Sequence, residues 1–203
     1  MSSGYELKTL RGYDFGEVVS ALQKSIRRGL EKDALYWAVE LDKSGFSEYV
    51  WKRIKIMTSE DVGIAEPNMP ANISGLYQMW LDQKKKKDEK HAPERLFLVH
   101  AVILLSRARK SRIVDHALCI YYNSTERIEI PDFALDKHTL AGKKMGRGFD
   151  HFFAEGIKLN NEADIKDEYL EMAKKVMING RAETKCEPEQ AKTREVSNGE
   201  LEF

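Results

Sequence analysis

Apolar residues recur along most of this chain at helical spacing. Asp14 is placed to cap a helix whose apolar face is Phe15, Val18, Val19, Leu22 and Ile26, and Gly29 follows its basic last turn, "KSIRRG". Ala34, Trp37, Ala38 and Leu41 form the face of a second helix that starts near Asp33 and stops before Gly45. Ser47 opens a third, with Val50, Ile54 and Met57 on one side and Lys52 and Lys55 on others; it ends in an acidic turn, "SEDVGIAEP". A fourth is expected over about 70–83, carrying Ile73, Leu76, Tyr77 and Trp80, before the charged run "KKKKDEK" at 84–90, which reads as a solvated helix end or loop.

Pro93 suits the first turn of a fifth helix. Its run "LFLVHAVILL" is apolar on all sides, so the pattern predicts a central core helix with His100 as a hydrogen-bonded core histidine. A sixth helix over 111–122 sets Ile113, Ala117 and Ile120 beside Val114, Leu118 and Tyr121. "NSTERIEIPDFA" breaks the period; Ile128 and Ile130 fit either a very short strand or an extended connector, which Pro131 limits. Helices are expected again at 147–158 and 166–178. From 180 to 203 the sequence is polar and lacks an apolar period, which predicts a disordered tail. The fold class is therefore all-α: one multi-helix domain over 1–179 and a tail.

Composition narrows the function. With Lys+Arg and Asp+Glu equal at 33 each, the chain has no global charge field, which argues against a tail-driven nucleic-acid binder but leaves room for a local basic patch. Cys119 lies in an apolar helical pattern and Cys186 in the polar tail, without metal spacing, as expected of structural thiols in a reducing cytoplasm. The amino terminus has no apolar leader, and the longest apolar run is about half the roughly 20 residues a membrane span needs.

Candidate chemistry concentrates in "DKHTLAGKKMGRGFDHFFAEG", residues 136–156. Three readings are open. His138, His151 and Glu155, with Asp136 nearby, supply metal-type ligands, and His151 and Glu155 are four apart on one helix face; a small metal-dependent enzyme would use these three. HExxH and the paired ExxH pattern of di-iron bundles are both missing. Alternatively, Lys143, Lys144 and Arg147 cluster beside glycines whose backbone N–H groups can approach an anion, more so if Lys24, Arg27 and Arg28 of the first helix lay nearby. The third reading is a corner between helices, in which Gly146 or Gly148 takes a left-handed conformation, Asp150 helps start the next helix, and Phe149, Phe152 and Phe153 pack inward or against a partner. No GxSxG is present to suggest a covalent nucleophile.

Three stretches in fixed order carry a resemblance: "SALQKSIR", then "DALYW", then "SEDVGIAEP". Together they resemble the segment after the ATPase module in the RarA/MgsA family of AAA+ proteins, which maintain replication forks and are related to the Werner-helicase-interacting protein. "KKMGRGFDHFF" is similar to the family's "MGYG" turn, with Arg147 where the family usually has an aromatic residue, so the likeness spans roughly 14–155. The sequence has neither the GxxxxGK[ST] loop nor a Walker B acid pair, so the resemblance implies the family's helical, oligomer-forming C-terminal part as a stand-alone protein rather than an ATPase. It further implies a homotetramer, action at DNA ends and gaps, and partnership with an AAA+ ATPase. A structural adaptor with no DNA role is the plainer alternative. The surplus of large apolar residues (Trp37, Trp51, Trp80, Phe152, Phe153) points the same way as the tetramer. Neither cofactor nor metal is expected.

Overall fold

The first helix shows how closely local signals set the chain's path. In the computed structural model, which describes residues 7–85 and 92–180, α1 spans Phe15–Arg27. Asp14 caps it by accepting from the Glu17 N–H, and Gly29, at φ +71°, turns the chain out of it. α2 (Glu31–Lys43) and α3 (Ser47–Met57) follow, with Gly45 at φ +86° between them. α3 runs into a π-helical turn, Thr58–Val62, and a 3-10 turn, Gly63–Ala65. α4 (Met69–Lys85), α5 (Glu94–Arg107) and α6 (Ile113–Asn123) complete this part.

The chain divides into two compact units, Met1–Thr125 and Glu126–Phe203, a boundary that falls inside the span expected as one domain. In the first unit, α2 and α5 each pack on α1, and α4 packs on α5. Leu22 and Ile26 of α1, Leu41 of α2, Trp51 and Ile54 of α3, Ile73 and Trp80 of α4 and Leu105 of α5 close one core. Full burial of side chains of this size contributes roughly 1.5–3 kcal/mol each. Before α1, residues 7–14 form a hook that returns on α2. There the Glu40 carboxylate, 1% exposed, accepts from the Arg11 N–H at 2.9 Å and from its guanidinium at 2.6 Å.

The second unit holds a 3-10 turn (Asp132–Ala134) and α7 (Leu140–Lys144). α8 (Phe149–His151) runs straight on into a π-helical turn, Phe152–Gly156, and α9 spans Leu170–Asn179. Among the described residues there is no strand; Lys8 and Asp14 form one isolated bridge, and Ile128 and Ile130 lie exposed outside any helix or strand. The all-α expectation therefore holds. None of the described helices is long and apolar enough to cross a membrane. The expected tail from residue 181, Cys186 and most of the 84–90 run lie outside the described residues.

Four sequence expectations need correction. α5 is one-sided: Leu98, Ala101, Val102 and Leu105 are buried, but Leu96 is 68% exposed and His100 is exposed beside the open groove between α4 and α5. Its all-round apolar pattern hid which face turned inward. α6 is almost uncovered, so Cys119 is exposed rather than packed. The helix expected over 147–158 is shorter, because Gly146 and Gly148 delay its start to Phe149. α9 begins at Leu170, since Asp167 accepts from the N–H groups of Tyr169 and Leu170 and organises the entry there.

Candidate functional site

The acidic turn after α3 gathers arginines from two directions. Asp61 is fully buried; its Oδ1 accepts from Arg27 Nε of α1 at 2.5 Å and from Arg112 Nη1, just before α6, at 3.0 Å. Glu60 accepts from Arg27 Nη2 at 2.9 Å and from Gln23 Nε2 at 2.9 Å, with Arg53 of α3 at 3.8 Å. The Asp61 carbonyl accepts from the Ser111 N–H at 2.9 Å. Arg112 also pairs with Asp115.

The π-helical turn is what turns both acids inward while Val62 enters the core. Gly63 leaves it at φ +51°, a conformation that favours glycine, and a Cβ there would crowd Val114 Cγ2 at 3.1 Å. Further on, Glu66 accepts from the Arg109 N–H at 2.7 Å and the Ala65 carbonyl from its guanidinium at 3.0 Å. Lys110 closes the C-terminus of α5 by donating to the carbonyls of Leu105, Ser106 and Ala108; burial pushes its pKa down. "SEDVGIAEP" is thus a hub that fixes where α6 starts and which way it points.

These contacts hold the first turn of α6. Beyond it Leu118, Ile120, Tyr121 and Tyr122 are 54%, 62%, 80% and 86% exposed. An isolated helix of 11 residues is marginal in water, and this one carries eight apolar residues out of eleven.

The corner at 136–156 forms by a different logic from either chemical reading. Asp136 accepts from the His138 N–H at 2.9 Å and faces His138 Nδ1 at 3.0 Å; that ring contact holds its carboxyl below the ordinary range. Thr139 caps α7 by accepting from the Gly142 N–H at 3.0 Å. Gly142 is buried against this turn so tightly that a Cβ would lie 1.8 Å from the Asp136 carbonyl oxygen. Gly146 is the left-handed glycine, at φ +73°; Gly148 is not, at φ −100°. Arg147, its side chain 15% exposed, places two bonds on the Asp132 carboxylate and donates to the carbonyls of Asp132 and Leu135 at 2.8 and 2.7 Å. Phe152 packs edge-on against His138 and against Phe153.

This places each residue singled out by the sequence. Arg27 and Arg147 are engaged within the chain. Lys24 and Arg28 are exposed at the end of α1, and Lys143 and Lys144 are exposed on α7; the two sets belong to different units. Glu155 pairs with Lys158 at 2.6 Å, His138 with Asp136, and His151 Nδ1 is buried with no protein partner among the described residues. No group of three or more His, Cys, Asp or Glu among the described residues is arranged to hold a metal ion. Sequence reasoning missed Asp61, Glu60, Glu40 and Gly142. The signal for the two acids lay inside the "SEDVGIAEP" motif; Gly142 sits outside every helix the sequence predicted and carried no such signal.

The first unit is an all-α bundle built around an acidic turn that grips the arginines of two helices. Residues 31–187 match the family described as MgsA AAA+ ATPase C terminal, and the chain belongs to that family. It is 33% identical over 150 residues to replication-associated recombination protein A of Coxiella burnetii, 71% of this chain and 32% of that protein. The Bacillus subtilis and Escherichia coli K12 proteins of the same name are 29% and 28% identical, over 66% and 71% of this chain and 31% and 32% of theirs. The chain spans about a third of the length of the curated relatives it matches.

Proposed function

We propose that this chain is a non-catalytic helical module that assembles with copies of itself and serves DNA replication and recombination, touching DNA or an AAA+ ATPase partner through its exposed basic side chains. The link to replication rests on the relatives' shared name and on family membership. The observation that carries self-association is α6: an apolar helix held at one end and open along the rest needs a cover. The non-catalytic reading is supported by the lack of a lysine-bearing phosphate loop in the sequence.

Lys24, Arg28, Lys143 and Lys144 are the exposed members of the predicted basic set and the side chains offered to phosphate. Light scattering at high micromolar concentration is expected to give a multiple of 23.4 kDa, with a tetramer as the expected state; a monomer refutes self-association. DNA affinity is expected to fall steeply with salt and to drop when the four basic residues are replaced by alanine. Binding that ignores both salt and these substitutions would refute the contact.

A further inference from the structure

Gly75 lies in the middle of α4, and nothing in its own unit asks for glycine there. Its backbone is helical, and a Cβ at this position would meet nothing within 4 Å. A glycine inside a helix costs stability relative to alanine, and no contact within the chain offsets that cost. Ala71, four residues earlier on the same face, is also small and exposed. Across the groove stand His100 and Leu104 of α5. Met79 on the α4 side is 45% exposed, and Leu96, one turn before His100, is 68% exposed. No Asp, Glu, Lys or Arg occurs in 69–81 of α4 or in 96–106 of α5, in a chain that is 33% charged. Open apolar side chains on a surface depleted of charge are the mark of an interface centre.

Charge returns at both ends of the groove, and it is positive. Arg109, just after α5, donates to Glu66 and to the Ala65 carbonyl, just before α4, so the two helices run antiparallel. Arg107 borders one end and Lys84 and Lys85, in the last turn of α4, the other. Between residues 66 and 110 there are nine Lys or Arg against five Asp or Glu, although the whole chain has a net charge of zero. The pairs these three cations form, with Glu31, Glu48 and Asp82, are largely solvent-facing and therefore weak, which leaves each cation able to take a second carboxylate.

We propose that this groove receives one amphipathic helix of another protein, with a small residue facing Gly75 and carboxylates at both of its ends. From Leu96 to Arg107 is about three turns, roughly 16 Å, so a helix of that length reaches both cationic ends. Its apolar face lies along Leu96, Leu104 and Met79, and Ala71 and Gly75 let its backbone come close. Asn72 and His100, the polar side chains lining the groove, each offer it a hydrogen bond. A second copy does not supply such a helix from its described residues: α6 and α9 expose apolar side chains but carry acid only in their first turns.

The test uses the full chain and two fluorescein-labelled peptides of about 18 residues, long enough to hold a helix. Both have Leu at helical spacing and Ala at the centre; one carries Glu at each end, the other Lys. Fluorescence anisotropy at low salt is expected to show the Glu-ended peptide bound at least tenfold more tightly. Gly75→Leu is expected to weaken that peptide at least tenfold, with Gly75→Ala in between, while the urea midpoints of both variants equal or exceed that of the parent, because better helix formers then stand in open space. A damaged fold would lower the midpoint instead. Lys52→Ala, on the exposed side of α3, is expected to leave binding unchanged. Equal affinity for the two peptides, no binding of the Glu-ended one at several hundred micromolar chain, or a Gly75→Leu chain that binds it as the parent does would each overturn the proposal. So would a fall in assembled mass on Gly75→Leu in light scattering, because the groove would then be covered by a second copy.

Discussion

Three glycines within seven residues allow the corner geometry to be tested by graded substitution. Gly142→Ala places a carbon 1.8 Å from the Asp136 carbonyl oxygen, 2.4 Å from its carbon and 2.8 Å from the Leu135 oxygen. All three are backbone atoms, and ordinary contact begins near 3.4 Å, so the 135–136 turn would have to recede by more than an ångström. Overpacking of this kind costs about 1–3 kcal/mol. Receding also separates Thr139 from the Gly142 N–H, a cap worth about 1 kcal/mol. The expected total is about 3 kcal/mol. Gly146→Ala meets nothing within 4 Å and is charged only for its left-handed backbone, about 1–2 kcal/mol. Gly148→Ala has an ordinary φ, and its close neighbour at 2.7 Å is Asp150 Oδ1, the end of a side chain that can swing away. Its effect should stay within about 0.5 kcal/mol. Hydrogen exchange of amides between 135 and 150, with urea unfolding alongside, reads the order 142 > 146 > 148. A tolerated Gly142→Ala, or a Gly148→Ala more damaging than Gly146→Ala, would refute the packing described here.

Other perturbations follow from the same contacts. Arg147→Ala removes two bonds to carbonyls and an ion pair with an Asp132 that is 73% exposed; the pair itself is worth little, so a loss of about 1–2 kcal/mol in the second unit is expected from urea midpoints, and Arg147→Lys should not restore it. Asp61→Asn takes the charge from a fully buried group facing two arginines whose side chains remain about 30% exposed, so the cost should fall below the 3–5 kcal/mol of a fully buried pair, near 2–3 kcal/mol; exchange protection should drop first in the opening turn of α6, and unchanged protection there would refute the hub. Burial pushes the Glu40 carboxyl upward, but bonds from the Arg11 N–H, Thr9 and the Arg11 side chain outweigh it and hold its pKa below the ordinary carboxylate value. A lowered folded-state pKa means stability that is present above the unfolded value, about 4.3, and lost as pH falls through the folded one. Glu40→Gln should therefore be less stable than the parent at pH 7 and close the gap below about pH 4; a gap independent of pH would count against the ion pair.

Much of the first unit was legible because its signals are local. A capping aspartate, positive-φ glycines after two helices, and apolar faces at three- and four-residue spacing need only neighbours in sequence, and α1 to α4 lie where they predict. What was hidden depends on separation. Arg27 reads as a dipole-matching last-turn cation; that its partners stand 33 and 34 residues away is invisible to periodicity. α5 and α6 failed for a related reason. An apolar run tells how much surface wants cover, and on α5 it did not tell which side gets it. On α6 its own unit covers the first turn and leaves Leu118, Ile120, Tyr121 and Tyr122 exposed. At the corner the turn glycine was legible, Gly146 being one of the two the sequence offered, but the close approach at Gly142 was not, because a left-handed turn leaves a mark in sequence, whereas a backbone approaching from six residues earlier does not.

The acidic turn and the open helix belong to one argument. A motif that only ended α3 would need a glycine and a polar turn. This one spends a buried aspartate and a glutamate on arginines from α1 and from the start of α6, and a second glutamate, Glu66, on the chain that joins α5 to α6. Buried ion pairs are costly to desolvate and are a poor way to add stability. Their value lies in geometry: charged groups that must find their partners admit fewer arrangements than apolar ones. Here the arrangement admitted is the direction of α6. A helix left open to solvent along an uncharged stripe gains from being held in a single orientation only if something meets it in that orientation. The specificity of "SEDVGIAEP" and the exposure of Leu118, Tyr121 and Tyr122 are then two ends of one device, with the first fixing the direction in which the second is presented.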